Sequence, residues 1–469
     1  MLGISIAQLV KAVKGDLIIG DPNALVNRVC IDTRTLKKGD FFIALKGDKK
    51  DAHMYLDEAL EKGAQGLLVK DIRLGIEKNP WSLVQLPHIV RVEDTLEALQ
   101  NFALFHHNKF NVFSVGITGT NGKTTTKEML ASILAQGHSV LSTRGNMNNQ
   151  IGLPLMMLEL ETDHEYAIFE LGASSLGEIE KLASLCKPKM AIITNVSAAH
   201  LEGFGSIENI LRAKWELVDS IQKDGEVILN ADDPLLSKKL GEPRCRVTTF
   251  GIDNIADVTA ESVNLWPATQ FTLVIDRKRY RVQIPVIGKF NVYNALAAAA
   301  AAWRLGKRIE DIIKGLEEFS VPPMHMSLIR LSNTNVLIND AYNANPKSMR
   351  ESILAFATMF AIKRKVVVLG TMNELGKASM QEHYDLGKVL ASQALDKIFW
   401  YGEFGEYVAK GFCDQFSSSD RIKIYDSHHE LVDALVKELN NPCAMLFKAS
   451  RLNKFEEIVE AVKDRYKPC

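Results

Sequence analysis

Residues 117–126 read ITGTNGKTTT, and the residue types there could hold a nucleoside triphosphate. Gly119 and Gly122 let the backbone turn tightly enough for its N–H groups to face an anion, while Met129, Leu130, Ile133 and Leu134 recur at helical spacing. A helix N-terminus therefore stands behind the turn. Lys123 would reach the outer phosphates, the Thr124 hydroxyl would ligate magnesium, and Thr120, Asn121 and Thr125 would complete the cradle. The common phosphate-loop pattern has glycine five residues before Gly122, where this chain has Ile117, so the loop is a variant form. A bare Gly-Lys-Thr is an ordinary turn in most chains; an apolar strand at 112–117 and an amphipathic helix on either side favour the phosphate reading.

Other polar residues follow strand-like runs. Glu170 ends the apolar run 166–171 and is the first magnesium-ligand candidate, with Ser174 in the loop after it. His200 lies past the strand at 190–195, and Lys214 sits on a helix at 207–218 otherwise lined by Ile210, Leu211, Leu217 and Val218. Singly, a histidine or a helix lysine is more often structural or solvated. Asn148 and Asn149 belong to an amide-rich loop at 144–152 able to read a polar ligand, and Asn291 and Asn294 have i, i+3 spacing at the start of an alanine-rich helix, where they could bond a base or ribose. Asp32-Thr33-Arg34 offers a carboxylate, a hydroxyl and a guanidinium at a strand end; taken alone, a solvated turn is the commoner meaning of such a triplet. Two further polar loops, 340–346 with Asp340, Asn343 and Asn345, and 370–376, also follow strands, where sites are built.

These residues need scaffolding, and 469 residues with 46% hydrophobic content are enough for about three domains. The strand–helix rhythm gives three α/β units, 1–107, 108–318 and 319–469, the later two with mostly parallel sheets. Lys plus Arg (56) nearly cancel Asp plus Glu (57), which argues against nucleic acid as a partner. Cys30, Cys186, Cys245, Cys413, Cys443 and Cys469 show neither CxxC pairing nor regular spacing, as expected of reduced thiols. The first residues lack the basic start and long apolar core of a secretion signal, and the longest apolar run, 295–303, is too short to span a bilayer. A soluble, cytoplasmic protein is expected.

Taken together, GTNGKTTT (119–126), Glu170, His200, Lys214, GKFNVYNA (288–295) and DAYNANP (340–346) resemble the Mur ligases in order and spacing over nearly the whole chain. Within that family the DTR turn, ALKG (44–47), NNQIGLP (148–154), AHLEGFGS, YNANP and the GTMNELG loop look most like the branch that adds D-alanyl-D-alanine. The resemblance implies a UDP-binding N-terminal domain, a central ATPase domain and a C-terminal Rossmann-like domain. It implies ATP-dependent joining of D-alanyl-D-alanine to UDP-MurNAc-tripeptide through an acyl phosphate, in peptidoglycan synthesis, by a monomer. On the same ground, one magnesium would sit on Thr124 and Glu170 and a second near His200 and Lys214, the lysine carbamylated. Asp32, Thr33 and Arg34 fall to the uridine-linked donor, and Asn148, Asn149 and Ser174 to substrate. Asn291, Asn294 and Asp340 would contact adenine and ribose; Asn343, Asn345, Ser450 and Arg451 would lie near the acceptor or the closing interface.

The chain departs from that pattern at Met324-His325, where an arginine is usual, and at Ala449, Ala52 and Ser197, where glycine is. A neutral imidazole at His325 cannot supply arginine's permanent bidentate charge on the ATP side, although it can stack on a base. Two alternatives share the ATP core: a ligase adding a diamino acid, and a folylpolyglutamate synthetase-like enzyme. The DTR-containing N-terminal region speaks against the second. A GTP switch would need an NKxD motif after the loop, whereas the similar string at 108–111 precedes it and lacks the aspartate.

Overall fold

The computed structural model describes residues 2–47, 50–71, 87–266, 268–359, 364–415 and 420–466. Chain contacts divide it into two compact units, Met1–Gly116 with His138–Gly172 and Glu180–Pro188, and Ile117–Gly137 with Ala173–Ile179 and Lys189–Cys469. The expected three-part division, cut near residues 107 and 318, is thus a functional proposal rather than the partition that contact density gives.

In the first unit, Asp16–Ile19, His88–Arg91, Gly66–Val69, Phe41–Ile43 and Val29–Cys30 form one sheet in that order; its first pair is antiparallel and the others parallel. Phe42, Ala44, Leu67, Val69 and Ile89 pack there with Leu56 and Ala59 of the helix Leu56–Glu61. Ser5 and Gln8 cap the helix Ile6–Val13 reciprocally. The helix Thr95–His107 is fixed by the Asp94 carboxylate, which accepts from the N–H groups of Leu96 and Glu97. Also in this unit, Val140–Ser142 runs parallel to Tyr166–Glu170.

In the second unit Met190–Ile193, Glu226–Asn230, Arg246–Gly251 and Val258–Asn264 pair in parallel; Thr269–Ile275 and Lys278–Ile284 then continue antiparallel. Period-two alternation buries Phe271, Leu273 and Ile275 on one face. Small side chains let the helix Lys289–Arg304 press against the helix Lys123–Leu134: Ala295 and Ala297 through Ala302 are fully buried. The helix Ile309–Glu318 packs on Lys123–Leu134 as well and needs Gly315 there, since a Cβ at that position would lie 2.4 Å from Ile133 Cα. A second sheet has the order Ser327–Arg330, Val336–Asn339, Cys443–Lys448, Arg364–Gly370, Lys397–Tyr401, Ile422–Tyr425, all parallel except the first pair. Its middle strands are apolar and buried on both faces, as parallel strands between helix layers must be. The mixed, mostly parallel α/β class expected from the sequence is therefore the observed one.

Cys30, Cys186, Cys245, Cys413 and Cys443 are free thiols; Cys469 lies outside the described residues. Burial pushes the Cys186 thiol up to about 12, which keeps it inert.

Candidate active site

The glycine loop follows the strand Phe113–Thr118 and opens the helix Lys123–Leu134. It is stapled to the end of a neighbouring strand: Thr194 N–H donates to Thr118 O (3.1 Å), Thr120 N–H to Asn195 O (2.9 Å), and the Asn195 amide to Asn121 O (2.9 Å). The Thr194 hydroxyl donates to Asn121 O at 2.6 Å, and Thr120 Oγ1 accepts from Ser197 N–H at 3.0 Å. Gly119 (φ +144°) and Gly122 (φ +81°) are in backbone conformations that favour glycine, and each would also clash, its Cβ falling 2.0 Å from Thr194 Oγ1 or 2.1 Å from Asn294 Oδ1. Thr194 and Asn195 were not foreseen; a polar pair closing an apolar strand beside a phosphate loop was the available signal.

Asn291 and Asn294 are buried. Asn291 donates to Ile287 O (2.9 Å), Asn294 donates to Asn291 Oδ1 (3.0 Å), and Asn294 Oδ1 accepts from Thr126 Oγ1 (3.4 Å). The geometry gives both a supporting part behind the loop rather than an open face toward a base.

Lys123 is the first helical residue, half-buried, with Nζ turned across the loop to Gly119 O (2.9 Å) and Thr120 O (3.1 Å). Thr124 beside it is half-buried and Thr125 is buried. Two further groups feel the Lys123 charge. Lys214, buried on the helix Ile207–Asp219 with Nζ 5.5 Å from the Phe204 ring centre, has its ammonium destabilised by burial and then by Lys123, so its pKa falls to about 7 despite Glu178 and Glu216. His200, in a left-handed conformation (φ 51°), pairs through Nδ1 with Glu374. Burial holds its imidazole below the ordinary range; Lys123 and Lys214 act in the same direction and Glu374 against it. The second unit thus brings Lys123, His200 and Lys214 into one electrostatic neighbourhood. Ser174 lies in a loop held by Glu178, whose carboxylate accepts from the Ser174 N–H at 2.7 Å.

In the first unit, Glu170 closes its strand in a buried position. Its Oε1 accepts from Asn148 Nδ2 (2.8 Å) and its N–H donates to Thr143 Oγ1 (3.0 Å), while Oε2 is buried without a hydrogen-bond partner. A buried carboxylate oxygen left unsatisfied is costly in isolation and suits a cation. Asn149 spends its side-chain oxygen on the N–H groups of Ile151 and Gly152, ordering the loop. Asp32 and Arg34 form a bidentate pair (2.6–3.0 Å), which lowers Asp32 to about 2, with the Arg34 side chain almost fully exposed. Thr33 between them is buried, its carbonyl accepting from Lys62 Nζ at 2.9 Å.

Three C-terminal loops are knitted together by Ser450. Its Oγ accepts from Asn373 N–H (2.9 Å) and donates to Ala344 O (3.2 Å), so this buried serine is a fastener. Asp340 is buried too, and its carboxylate is taken by Lys448 Nζ (2.6 Å), Ser352 Oγ (2.6 Å) and Met326 N–H (3.1 Å), partners that hold the loop's start rather than present it to a ribose. Asn343 is exposed; its side-chain oxygen accepts from Ala344 N–H. Asn345 caps the helix Pro346–Thr358 through Ser348 N–H (2.9 Å), and its Nδ2 donates to Asn121 Oδ1 of the glycine loop (2.7 Å). Its amide thus serves as a cap and as a latch to the glycine loop. Asn345→Ala should cost about 1 kcal/mol from the lost cap alone. Denaturant midpoints check this; an unchanged midpoint at equal m would refute it. His325 lies against Tyr342, ring centres 4.5 Å apart with the rings tilted by 31°, between Met324 and Met326, both at positive φ. Arg451 is half-exposed near Glu456 (3.2 Å) and Met324 Sδ (3.3 Å).

Residues 117–302 match the family model of the Mur ligase middle domain, and residues 326–451 that of the Mur ligase glutamate ligase domain. The chain is 34% identical over 464 residues to the UDP-N-acetylmuramoyl-tripeptide–D-alanyl-D-alanine ligase of Bacillus subtilis, covering 98% of each. It resembles a crystal structure of MurF from Acinetobacter baumannii with a TM-score of 0.88 at 33% identity, over 98% of this chain and 99% of that one. It also resembles MurF ligase from Thermotoga maritima in complex with ADP, with a TM-score of 0.81 at 27% identity, over 94% and 98%.

Proposed function

The chain belongs to the Mur ligase family, and from that premise we propose that it joins D-alanyl-D-alanine to UDP-N-acetylmuramoyl-tripeptide at the expense of ATP, in peptidoglycan precursor synthesis. One observation carries the choice of substrates: the similarity to ligases of that name runs the full length of both chains, so it includes regions outside the ATP core that related ligases share.

A carboxylate is a poor acyl donor. The tripeptide carboxylate attacks the γ-phosphorus of ATP, ADP leaves, and an acyl phosphate results. The dipeptide amine adds to the acyl carbon, inorganic phosphate departs, and the nitrogen gives up a proton. Both steps crowd anions, so fixed positive charge and positioning supply most of the rate. The glycine loop offers backbone N–H groups at a helix N-terminus, and the Lys123 ammonium, already poised over the loop carbonyls, moves onto the outer phosphates. Asn291, Asn294 and Thr194 hold the loop in shape.

Magnesium fits the residues present: Glu170 has a buried oxygen without a partner, and magnesium usually takes only one or two protein carboxylates besides phosphate oxygens. Thr124 and Glu170 are each proposed magnesium ligands, and so are His200 and a carbamylated Lys214; such ions neutralise phosphate charge as it develops. Lys214 suits the modification because an amine with a pKa of about 7 is unprotonated in a large share of molecules near neutral pH and can add to carbon dioxide, releasing one proton. The N-terminal region with Asp32, Thr33 and Arg34 takes the uridine-linked donor, with Asn148, Asn149 and Ser174 toward its peptide, and the C-terminal loops take the acceptor. His325 serves the nucleotide side by stacking. Among the described residues no helix is long and apolar enough to cross a membrane, and we place the enzyme in the cytoplasm as a monomer, where its soluble substrates are.

The test is inorganic phosphate release with ATP and UDP-MurNAc-tripeptide, with D-alanyl-D-alanine present or withheld. Dipeptide-dependent release is expected. Turnover instead with one diamino acid on UDP-MurNAc-dipeptide, or with glutamate on a folate, would overturn the assignment and leave the ATP-dependent ligase standing.

A further inference from the structure

Beside His200, a cleft of about 100 Å³ opens onto the C-terminal loops. Its lining includes one carboxylate, Glu374, and one guanidinium, Arg451, whose ion pair with Glu456 (3.2 Å) is partly exposed, and the wall includes Ala199, Leu375 and Leu452. Leu452 is 76% exposed. Glu374 has φ 61°, a left-handed conformation disfavoured for a side chain of this kind, and the surroundings hold it there. Its carbonyl accepts from Glu202 N–H (3.2 Å), Asn373 next to it donates its N–H to Ser450 Oγ (2.9 Å), and the Asn453 amide donates to Asn373 Oδ1 (3.3 Å). The backbone is thus fixed at the cleft wall, where the Glu374 carboxylate pairs with the partly exposed His200. A contact between two partly exposed side chains contributes little, so a ligand cation can replace it.

Resting on the ligase reading above, we propose that Glu374 is the residue that recognises the acceptor's ammonium, with Arg451 taking the acceptor's carboxylate and Leu452 covering its small apolar side chains. A short dipeptide is a zwitterion with charges at its two ends and methyl groups between, and the cleft offers opposite charges with an apolar wall. This assigns acceptor choice to the 371–376 loop, not to the amide of Asn345, which is spent on its cap and on Asn121.

The near-isosteric Glu374→Gln removes the charge and keeps the shape. KM for D-alanyl-D-alanine should rise at least about tenfold, the usual scale for losing one charge-assisted contact. KM for ATP and for UDP-MurNAc-tripeptide, and acyl phosphate formed before acceptor is added and trapped by hydroxylamine, should stay within about twofold. Glu374→Asp should recover part of the loss. In parallel, Arg451→Gln should abolish the preference for the dipeptide over its C-terminal amide. An unchanged acceptor KM in Glu374→Gln overturns the proposal; so does an equal loss of acyl phosphate, which would make Glu374 a latch between loops. Wild-type protein that ignores the dipeptide altogether would instead remove the ligase reading on which the proposal stands.

Discussion

Lys123→Ala should leave a folded protein that turns over several hundredfold more slowly than the parent, or not at all. The lysine's part in stability is small beside its part in catalysis: it is half-buried, and its Nζ donates to the Gly119 and Thr120 carbonyls of its own loop, whose shape is also set by Thr194, Asn195 and Asn294. Losing these hydrogen bonds should cost about 1–3 kcal/mol. Catalysis is another matter, because a preorganised cation aimed at developing phosphate charge typically supplies about 3–4 kcal/mol. Lys123→Arg should not restore full activity, since a planar fork does not fit the place of a compact ammonium over a tight loop. Steady-state turnover beside a thermal melt measures both effects. Activity within tenfold of the parent, or a protein that no longer folds, would sink the argument.

The elements around that loop were legible because each carries a local signal: an apolar strand, glycines at positive φ, and a helical period from Met129 to Leu134. The strands of the C-terminal sheet were equally plain, as short apolar runs ended by polar loops. The antiparallel edge strand Ser327–Arg330 was not, since SLIR is too short and too weakly alternating to stand out. The helix Thr95–His107 was missed although Asp94 and Glu97 spell an N-terminal cap, a signal that was present and unused. What no local pattern could give is the pairing of distant residues. Asn121 with Asn345, His200 with Glu374, and Asp340 with Lys448 are separated by 100 residues or more, and each pairing redirects a polar side chain that the sequence alone offers equally to a ligand. Asn294 shows the same limit: helical spacing places it correctly, but only the fold shows it pressed against Gly122.

Lys214 allows the last prediction, because the physics that readies it for chemistry also makes it a burden to the fold. Its folded pKa, about 7, lies below the ordinary lysine value, 10.5. Between those values the unfolded chain binds more protons than the folded one, so stability should rise with pH across that window and fall as pH drops toward 7. With bicarbonate excluded, Lys214→Met should flatten that rise and be more stable than the parent near pH 7 by roughly a few kcal/mol, since a buried, desolvated amine is exchanged for an apolar chain of similar length. The same change should abolish ligase activity. Lys214→Ala, which leaves space where the side chain was, should be inactive alone and partly rescued by formate or acetate, small carboxylates able to stand in for a carbamate. In the parent, ¹³C-bicarbonate should produce a carbamate carbon signal that both variants lack. A Lys214→Met protein that is less stable at pH 7 would show that the amine is not held neutral. Loss of activity without rescue, together with no carbamate signal in the parent, would leave Lys214 as a plain cation, and the second metal position would then need another ligand.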